Sequence, residues 1–379
     1  MTSRKRTRVI ILYANTGGGH RSAAQAIEQG LLKVCEGRCD VSLVNAFDKL
    51  RFPWDTVERD YPYWVNYGRM LYSVSFKSTN GRRRVLALRR MGELITDPMA
   101  ESIVREQPAD LYISCHPVYN HYVPRKAHEL GVSTKYVNVV TDLVTGHLFH
   151  YATEVDLCIV PTTEAAEIAV QNQMPRSKLA VLGQPVWPDF QFRMGNRAET
   201  RRQLGLSNDL PVVLMMGGGE GMGRIGIAAR EIAFSDLPIQ FVIVCGKNSN
   251  LQTDLEFINP RVPAMRVLGF VTNVPELMGA ADVLVTKAGP STISEGFIAG
   301  LPILLYDAIP GQEEGNVDYV VKRGAGAYCP NPFAVTRQLR QWLNSPDEMR
   351  RLRAASFELA RPNSALDIAK AALSVLDRP

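Results

Sequence analysis

Ala14–Ile27 reads ANTGGGHRSAAQAI: three glycines follow the apolar run Arg8–Ala14 and lead into a segment with Ala23, Ile27 and Leu31 at i, i+4 spacing. That order predicts a strand, a glycine turn and a helix, the opening of a βαβ unit. It recurs in the second half, where Pro211–Met216 precedes MMGGGEGMGRIG. Short β-branched runs alternate with helical periodicity on both sides of these junctions. The first half offers strands at Arg8–Ala14, Val41–Ala46, Leu111–Cys115, Lys135–Val140, Asp156–Val160 and Leu179–Leu182. The second offers Pro211–Met216, Ile239–Cys245, Met265–Leu268, Val283–Thr286 and Pro302–Tyr306. The predicted class is α/β, with two doubly wound parallel sheets. Between them GQPVWPDFQFRMGNR, Gly183–Arg197, fits neither pattern and reads as a hinge.

A chain of 379 residues is longer than one core usually grows, which agrees with two domains. At 46% hydrophobic and 21% charged the composition is that of a soluble globular protein, and no apolar run reaches the ~18 residues that span a bilayer. The basic start, Met1–Arg8, precedes an apolar stretch too short for a signal-peptide core, so a cytoplasmic location is expected. Six cysteines form no CxxC pair; Cys35 and Cys39 come closest, and reduced, structural thiols are expected.

Each glycine junction is a candidate site. Gly17, Gly18 and Gly19 deliver the chain onto a helix start whose N–H groups face an anion or a polar substrate. His20 falls in the first turn, where the helix dipole disfavours imidazolium, so a neutral histidine able to accept a proton is expected. A tight turn with an incidental capping histidine would carry the same letters. The second loop contains Gly221-x-Gly223-x-x-Gly226, but the following strand ends in CGKN without the acidic residue a nicotinamide ribose needs. Neither loop has the Gly-Lys-Ser/Thr of a P-loop, which leaves pyrophosphate or sugar contact through backbone N–H groups. The third junction is TKAGPSTISEGFIAGLP, Thr286–Pro302: Pro290 suits an early helical position, Gly300 the residue past the end, and Pro302 bars continuation. There Ser291, Thr292 and the helix start suit phosphate, and Glu295 suits either a ribose or the helix dipole. GQEEGN, Gly311–Asn316, adds hydrogen-bonding side chains suited to a polyhydroxyl ligand or to solvent.

In sequence order these blocks, with ISCHPVYNH, VTDLVTGHLFH, LGQPVWPDF and GFVTNVPELMGAADVLVTKAGPSTISEG, resemble the diacylglycerol glycosyltransferases of the monogalactosyldiacylglycerol synthase type, a group that includes MurG-like enzymes. The resemblance covers nearly the whole chain. It implies a GT-B fold: two Rossmann-like domains facing a cleft, 1–190 for acceptor and membrane, 191–379 for the nucleotide sugar, the last helix free to pack back on the first domain. It implies transfer of a hexose from UDP-galactose or UDP-glucose to diacylglycerol, with inversion, no metal and no cofactor. Residue by residue, His20 would be the base, with Gly18, Gly19, His116, Asp142 and His147 on the acceptor side. Gly218, Gly219, Gly221, Met222 and Gly223 would approach the diphosphate, and Phe270 and Val271 the uracil. Pro290, Ser291 and Thr292 would meet phosphate, Glu295 ribose, and Gln312, Glu313 and Asn316 the sugar. One departure is Phe149, where the family usually has tryptophan. Asp142, His147 and His150 also have metal-ligand chemistry, though no further ligand motif joins them. His116 and His121 fit either acceptor contacts or satisfied polar side chains.

Tyr61–Gly92 carries Arg69, Lys77, Arg82, Arg83, Arg84, Arg89 and Arg90 with no acidic residue, a charge of +7 in a chain of +5. Tyr61, Tyr63, Trp64, Tyr67, Tyr72 and Phe76 accompany the cations, which suits an anionic membrane surface, at about 1 kcal/mol per cation. Aromatic and basic residues also suit single-stranded nucleic acid. The nucleotide-sugar motifs require an acceptor, and a diacylglycerol is met only at a bilayer, so no nucleic-acid partner is expected. A lipid-linked acceptor for N-acetylglucosamine and a non-catalytic nucleotide-sugar module are the alternatives.

Overall fold

The computed structural model describes residues 6–50, 52, 54–60, 68–219, 221, 224–262 and 264–377, except for the side chains of Arg69 and Arg261. Tyr61, Tyr63, Trp64, Tyr67, Met222, Gly223 and the first five residues of the basic N-terminus lie outside the described residues. The chain forms two compact units, one of residues 1–188, 310–312 and 363–379, the other of residues 189–309 and 313–362.

The first unit is built on a parallel sheet of six strands: β1 (Thr7–Leu12), β2 (Cys39–Val44), β3 (Leu111–Ser114), β4 (Lys135–Val139), β5 (Leu157–Val160) and β6 (Leu179–Val181). Their order is β2-β1-β3-β4-β5-β6. Both faces of β1 are buried, which explains its continuous apolar run. Val9 and Ile11 pack with Ala23, Ile27 and Leu31 of the helix Gly18–Cys35 and with Ile368 and Ala372 of the helix Ser364–Ser374. Ile10 and Leu12 face Met99 and Ile103 on the other side, residues of the helix Arg82–Glu106.

The second unit holds β7 (Val212–Met216), β8 (Gln240–Val244), β9 (Met265–Leu268), β10 (Val283–Lys287), β11 (Ile303–Asp307) and β12 (Gly326–Tyr328) in the order β12-β11-β10-β7-β8-β9. In each sheet the strand order reverses beside the first strand, between β1 and β3 and between β7 and β10. Ligands of open α/β sheets bind at the carboxyl ends of the strands at such a point. The segments Tyr13–Gly17 and Cys115–His116 leave the first of these edges, and Gly217–Gly219 and Ala288–Gly289 leave the second.

One expectation is corrected. Cys35 and Cys39 form a disulfide. The helix stops at Cys35, and Glu36 at φ 49° and Gly37 at φ 81° reverse the chain into β2, bringing the two Cα atoms to 5.7 Å. Cys115, Cys158, Cys245 and Cys329 are free and buried, as expected for structural thiols. The segment read as a hinge contains a short helix, Phe190–Arg193, and the start of another, Arg197–Gln203, whose N-cap Asn196 accepts from two backbone N–H groups. Among the described residues no helix is long and apolar enough to cross a membrane.

Candidate functional site

In the first unit the chain leaves β1 and enters its helix at Gly17, whose φ of 75° and ψ of 161° are open essentially to glycine alone. No side chain caps that helix start. His20 stands in its first turn with Nδ1 2.8 Å from the carbonyl of Cys115 and 2.8 Å from Thr141 Oγ1. A carbonyl only accepts, so Nδ1 carries the proton and Nε2 holds the lone pair. Burial pushes His20 down to about 4, against the opposing pull of Asp142. The imidazole is therefore neutral, and burial rather than the helix dipole is the main cause. His116 packs edge-on at 4.8 Å from the His20 ring and accepts the Val118 N–H, so one of its nitrogens serves the turn Pro117–Tyr119.

Asp142 lies beside this pair and is buried. Its Oδ2 is 3.1 Å from His150 Nε2, and Gln312 donates to Oδ1 at 3.0 Å. Burial works to raise its carboxyl, but these two partners hold it below the usual range. Gln312 in turn accepts from the Tyr72 hydroxyl at 2.8 Å. Gln312, expected at the sugar, thus belongs by its contacts to the first unit. His147 has both ring nitrogens engaged: Nδ1 accepts from Phe149 N–H at 3.2 Å and Nε2 is 3.1 Å from Thr79 Oγ1. Its role here is to hold the loop; Phe149 packs on the His121 ring at 5.2 Å. Among the described residues no three His, Cys, Asp or Glu side chains converge as metal ligands, so Asp142, His147 and His150 form no such set.

The basic segment needs two corrections. Arg89 is not a surface cation: its Nε donates to His121 Nε2 at 3.0 Å and its Nη1 is 3.6 Å from Glu154. It follows buried Val85 by one helical turn, which puts it on the inward stripe of the helix Arg82–Glu106. His121 is accordingly a buried side chain with its Nε2 engaged by Arg89. Tyr72 and Phe76 also turn inward, Phe76 against His147 at 5.3 Å. Arg82, Arg83, Arg84 and Arg90 are exposed, with Arg84 Nη1 donating to the carbonyls of Lys77 and Ser78. Around them are exposed Met70, Leu71, Val74, Leu86, Met91 and Leu94.

In the second unit Gly218 and Gly219 form the turn after β7. Gly221, at φ 58°, packs so tightly on the end of β8 that a Cβ would fall 2.1 Å from the Cys245 carbonyl. Its need for glycine is thus met by the protein's own backbone. Phe270 is exposed and Val271 half-buried. Pro290, Ser291 and Thr292 open the helix Pro290–Ile298, whose N-cap Gly289 supplies no side-chain cap. Burial raises the Glu295 carboxyl to about 8. Glu313 and Asn316, expected at the sugar, point inward instead. Glu313 is 2.6 Å from Lys287 Nζ and accepts Ile309 N–H at 2.9 Å, and Asn316 donates to the Ala288 carbonyl at 2.8 Å. Sequence reasoning missed Thr141 and Lys287. For Lys287 a signal existed, since it ends a strand beside the switch point.

A family model described as monogalactosyldiacylglycerol (MGDG) synthase matches residues 20–186, and one described as the glycosyltransferase family 28 C-terminal domain matches residues 212–362. A Glycine max protein named probable monogalactosyldiacylglycerol synthase, chloroplastic, is 36% identical over 376 residues, which span 96% of this chain and 70% of that protein. Arabidopsis thaliana monogalactosyldiacylglycerol synthase 1 is 34% identical over 373 residues, 95% of this chain and 69% of that one. Among solved structures, Acinetobacter baumannii MurG superposes with a TM-score of 0.61 at 14% identity, covering 97% of this chain and 99% of its own. The likeness to MurG gives the fold, GT-B.

Proposed function

The chain belongs to the monogalactosyldiacylglycerol synthase family, and from that premise we propose that it moves a hexose, galactose or glucose, from a UDP-sugar to the sn-3 hydroxyl of 1,2-diacylglycerol. That it is a sugar-transferring enzyme follows from the family; donor, acceptor and inversion are the proposal. In the transfer, the acceptor oxygen attacks the anomeric carbon from the face opposite the leaving group. The bond from that carbon to the β-phosphate oxygen breaks, UDP departs with the electron pair, and His20 Nε2 takes the hydroxyl proton. The proposal includes no metal ion: helix-start N–H groups meet the charge of the departing diphosphate.

The observation that carries this reading is His20: neutral, half-buried, with Nδ1–H held by Cys115 and Nε2 free to accept a proton. The exposed arginines and apolar side chains of residues 70–94 support a peripheral position on an anionic membrane, at its cytoplasmic face.

The test is incubation with radiolabelled UDP-galactose or UDP-glucose and diacylglycerol in phosphatidylglycerol vesicles, with chromatography of the lipid product. The expected outcome is a monohexosyl diacylglycerol of β configuration. His20→Ala should lower turnover by ~10²-fold or more while UDP affinity is kept. Transfer only to a lipid diphosphate, or no release of UDP, would replace this reading with one of the two alternatives.

A further inference from the structure

Two helices of the second unit begin just after glycine turns at the switch point between β7 and β10, and their surroundings differ. At the helix Ile225–Ala233 an anion is already supplied: Asp307 Oδ2 accepts the Arg224 N–H at 3.2 Å, and Asp307 is buried. At the helix Pro290–Ile298 the start is uncapped, and beside it stands Lys287, the last residue of β10. A Cβ on Gly289 would lie 3.2 Å from Lys287 Nζ, and one on Gly218 would lie 3.9 Å from its Cε. The ammonium therefore stands where both turns converge.

Among the described residues Nζ has one partner, Glu313 Oε1 at 2.6 Å, and the two side chains are 13% and 4% exposed. Glu313 is itself fixed, because its other oxygen accepts the Ile309 N–H. An ammonium has three donors, so the pairing with Glu313 orients the group and leaves two for a ligand. A buried ion pair contributes little net stability over apolar packing, which leaves its placement at this edge to be explained by what it binds. An ammonium beside N–H groups at a helix start suits a group with two or more negative charges and several acceptor oxygens.

We infer that Lys287 binds the diphosphate of the nucleoside-diphosphate sugar, and that Glu313 positions Lys287 instead of reading the sugar. The inference rests on the UDP-sugar reading and deepens it by naming the side chain that meets the leaving group. It is tested by calorimetry with UDP, uridine and the UDP-sugar on the wild type, Lys287→Met, Lys287→Arg and Glu313→Gln. Lys287→Met should weaken UDP about ten- to hundredfold, the loss of one charge-assisted contact, and leave uridine unchanged. Lys287→Arg should recover most of the loss. Glu313→Gln should leave the ratio of UDP-sugar to UDP affinity at its wild-type value. Because Lys287→Met leaves Glu313 buried without its partner, the double variant Lys287→Met/Glu313→Gln removes both charges and should show the same UDP defect in a protein that melts normally. A wild type that binds UDP, with variants that lose UDP and uridine equally or lose neither, overturns the assignment of Lys287 alone. Selective loss of UDP-sugar in Glu313→Gln overturns the role of Glu313. A wild type that binds no UDP overturns the donor reading and this inference with it.

Discussion

At the scale of single residues, burial sets the protonation states on which the chemistry depends. His20 lowered to about 4 should place the acid limb of kcat/KM near pH 4, well below the ordinary histidine value of 6.5. A pH–rate profile flat from about pH 5 to 8 is expected, and a limb near pH 6.5 would mean that another group is the base. Glu295 has the opposite displacement, from 4.5 up to about 8. A carboxyl raised on folding binds its proton more tightly in the folded state. Its contribution is complete below pH 4.5 and is lost as pH rises toward 8. Glu295→Gln removes that titration, so the melting temperature of the variant relative to wild type should rise between pH 5 and pH 8, as calorimetry at several pH values would record. A difference that stays constant would mean that Glu295 is already ionised in the folded protein. These states were only partly legible in the sequence. The loop TGGGH announced a neutral histidine, but the partner that fixes its tautomer, the Cys115 carbonyl, lies 95 residues away. Lys287 was passed over because its meaning comes from Gly218 and Glu313, which a linear reading does not bring together. Arg89 and Arg90 have the same letter, and only helical phase separates them: Arg89 follows buried Val85 by four residues and Arg90 does not.

At the scale of elements, strands buried on both faces write their positions plainly, and all eleven strands expected from apolar runs are present. The strand that was missed, β12, is three residues of an edge, GAY, with a glycine and too little apolar length to register. The helix Pro290–Ile298 was equally plain, and Gly300 at φ 61° follows its end as proline and glycine spacing required. Packing between helices was less visible. Gly30, inside the helix Gly18–Cys35, faces the backbone of the helix Ser364–Ser374, and a Cβ there would sit 2.4 Å from the Ala365 carbonyl oxygen. Two effects oppose each other in Gly30→Ala. Helix propensity favours alanine by about 1 kcal/mol, whereas overpacking against backbone costs ~1–3 kcal/mol because neither helix yields easily. The clash should win, and the variant should melt several degrees lower with hydrogen exchange rising first in residues 364–374. A variant more stable than the wild type would show that the last helix does not pack on this glycine.

Over the whole molecule, charge is unevenly distributed along the chain: residues 61–92 carry +7 and the remainder −2. With Arg89 turned inward and bonded to His121, four of the cations proposed for the membrane, Arg82, Arg83, Arg84 and Arg90, are exposed. Met70 and Leu94 of the same segment are 83% and 74% exposed, so in the proposed attachment apolar insertion would add to electrostatic attraction. Replacing the four arginines with glutamine removes about 4 kcal/mol at ~1 kcal/mol each, roughly a thousandfold in partitioning onto phosphatidylglycerol vesicles. Salt near 1 M should mimic the replacement in the wild type by shortening the Debye length to about 3 Å, while the apolar side chains retain a weaker, salt-insensitive attachment. UDP affinity should not change, since the four arginines belong to the first unit and the donor site is proposed for the second. Arg89→Gln separates the two kinds of arginine: it should leave vesicle binding near wild type and lower the melting temperature, because it removes the cation that Glu154 and His121 share. Sedimentation with vesicles, paired with thermal melting, reads both effects. Equal vesicle binding by the fourfold variant and the wild type would remove this surface as the anchor and leave Arg6 and Arg8, with the basic residues before them, as the next cations to replace.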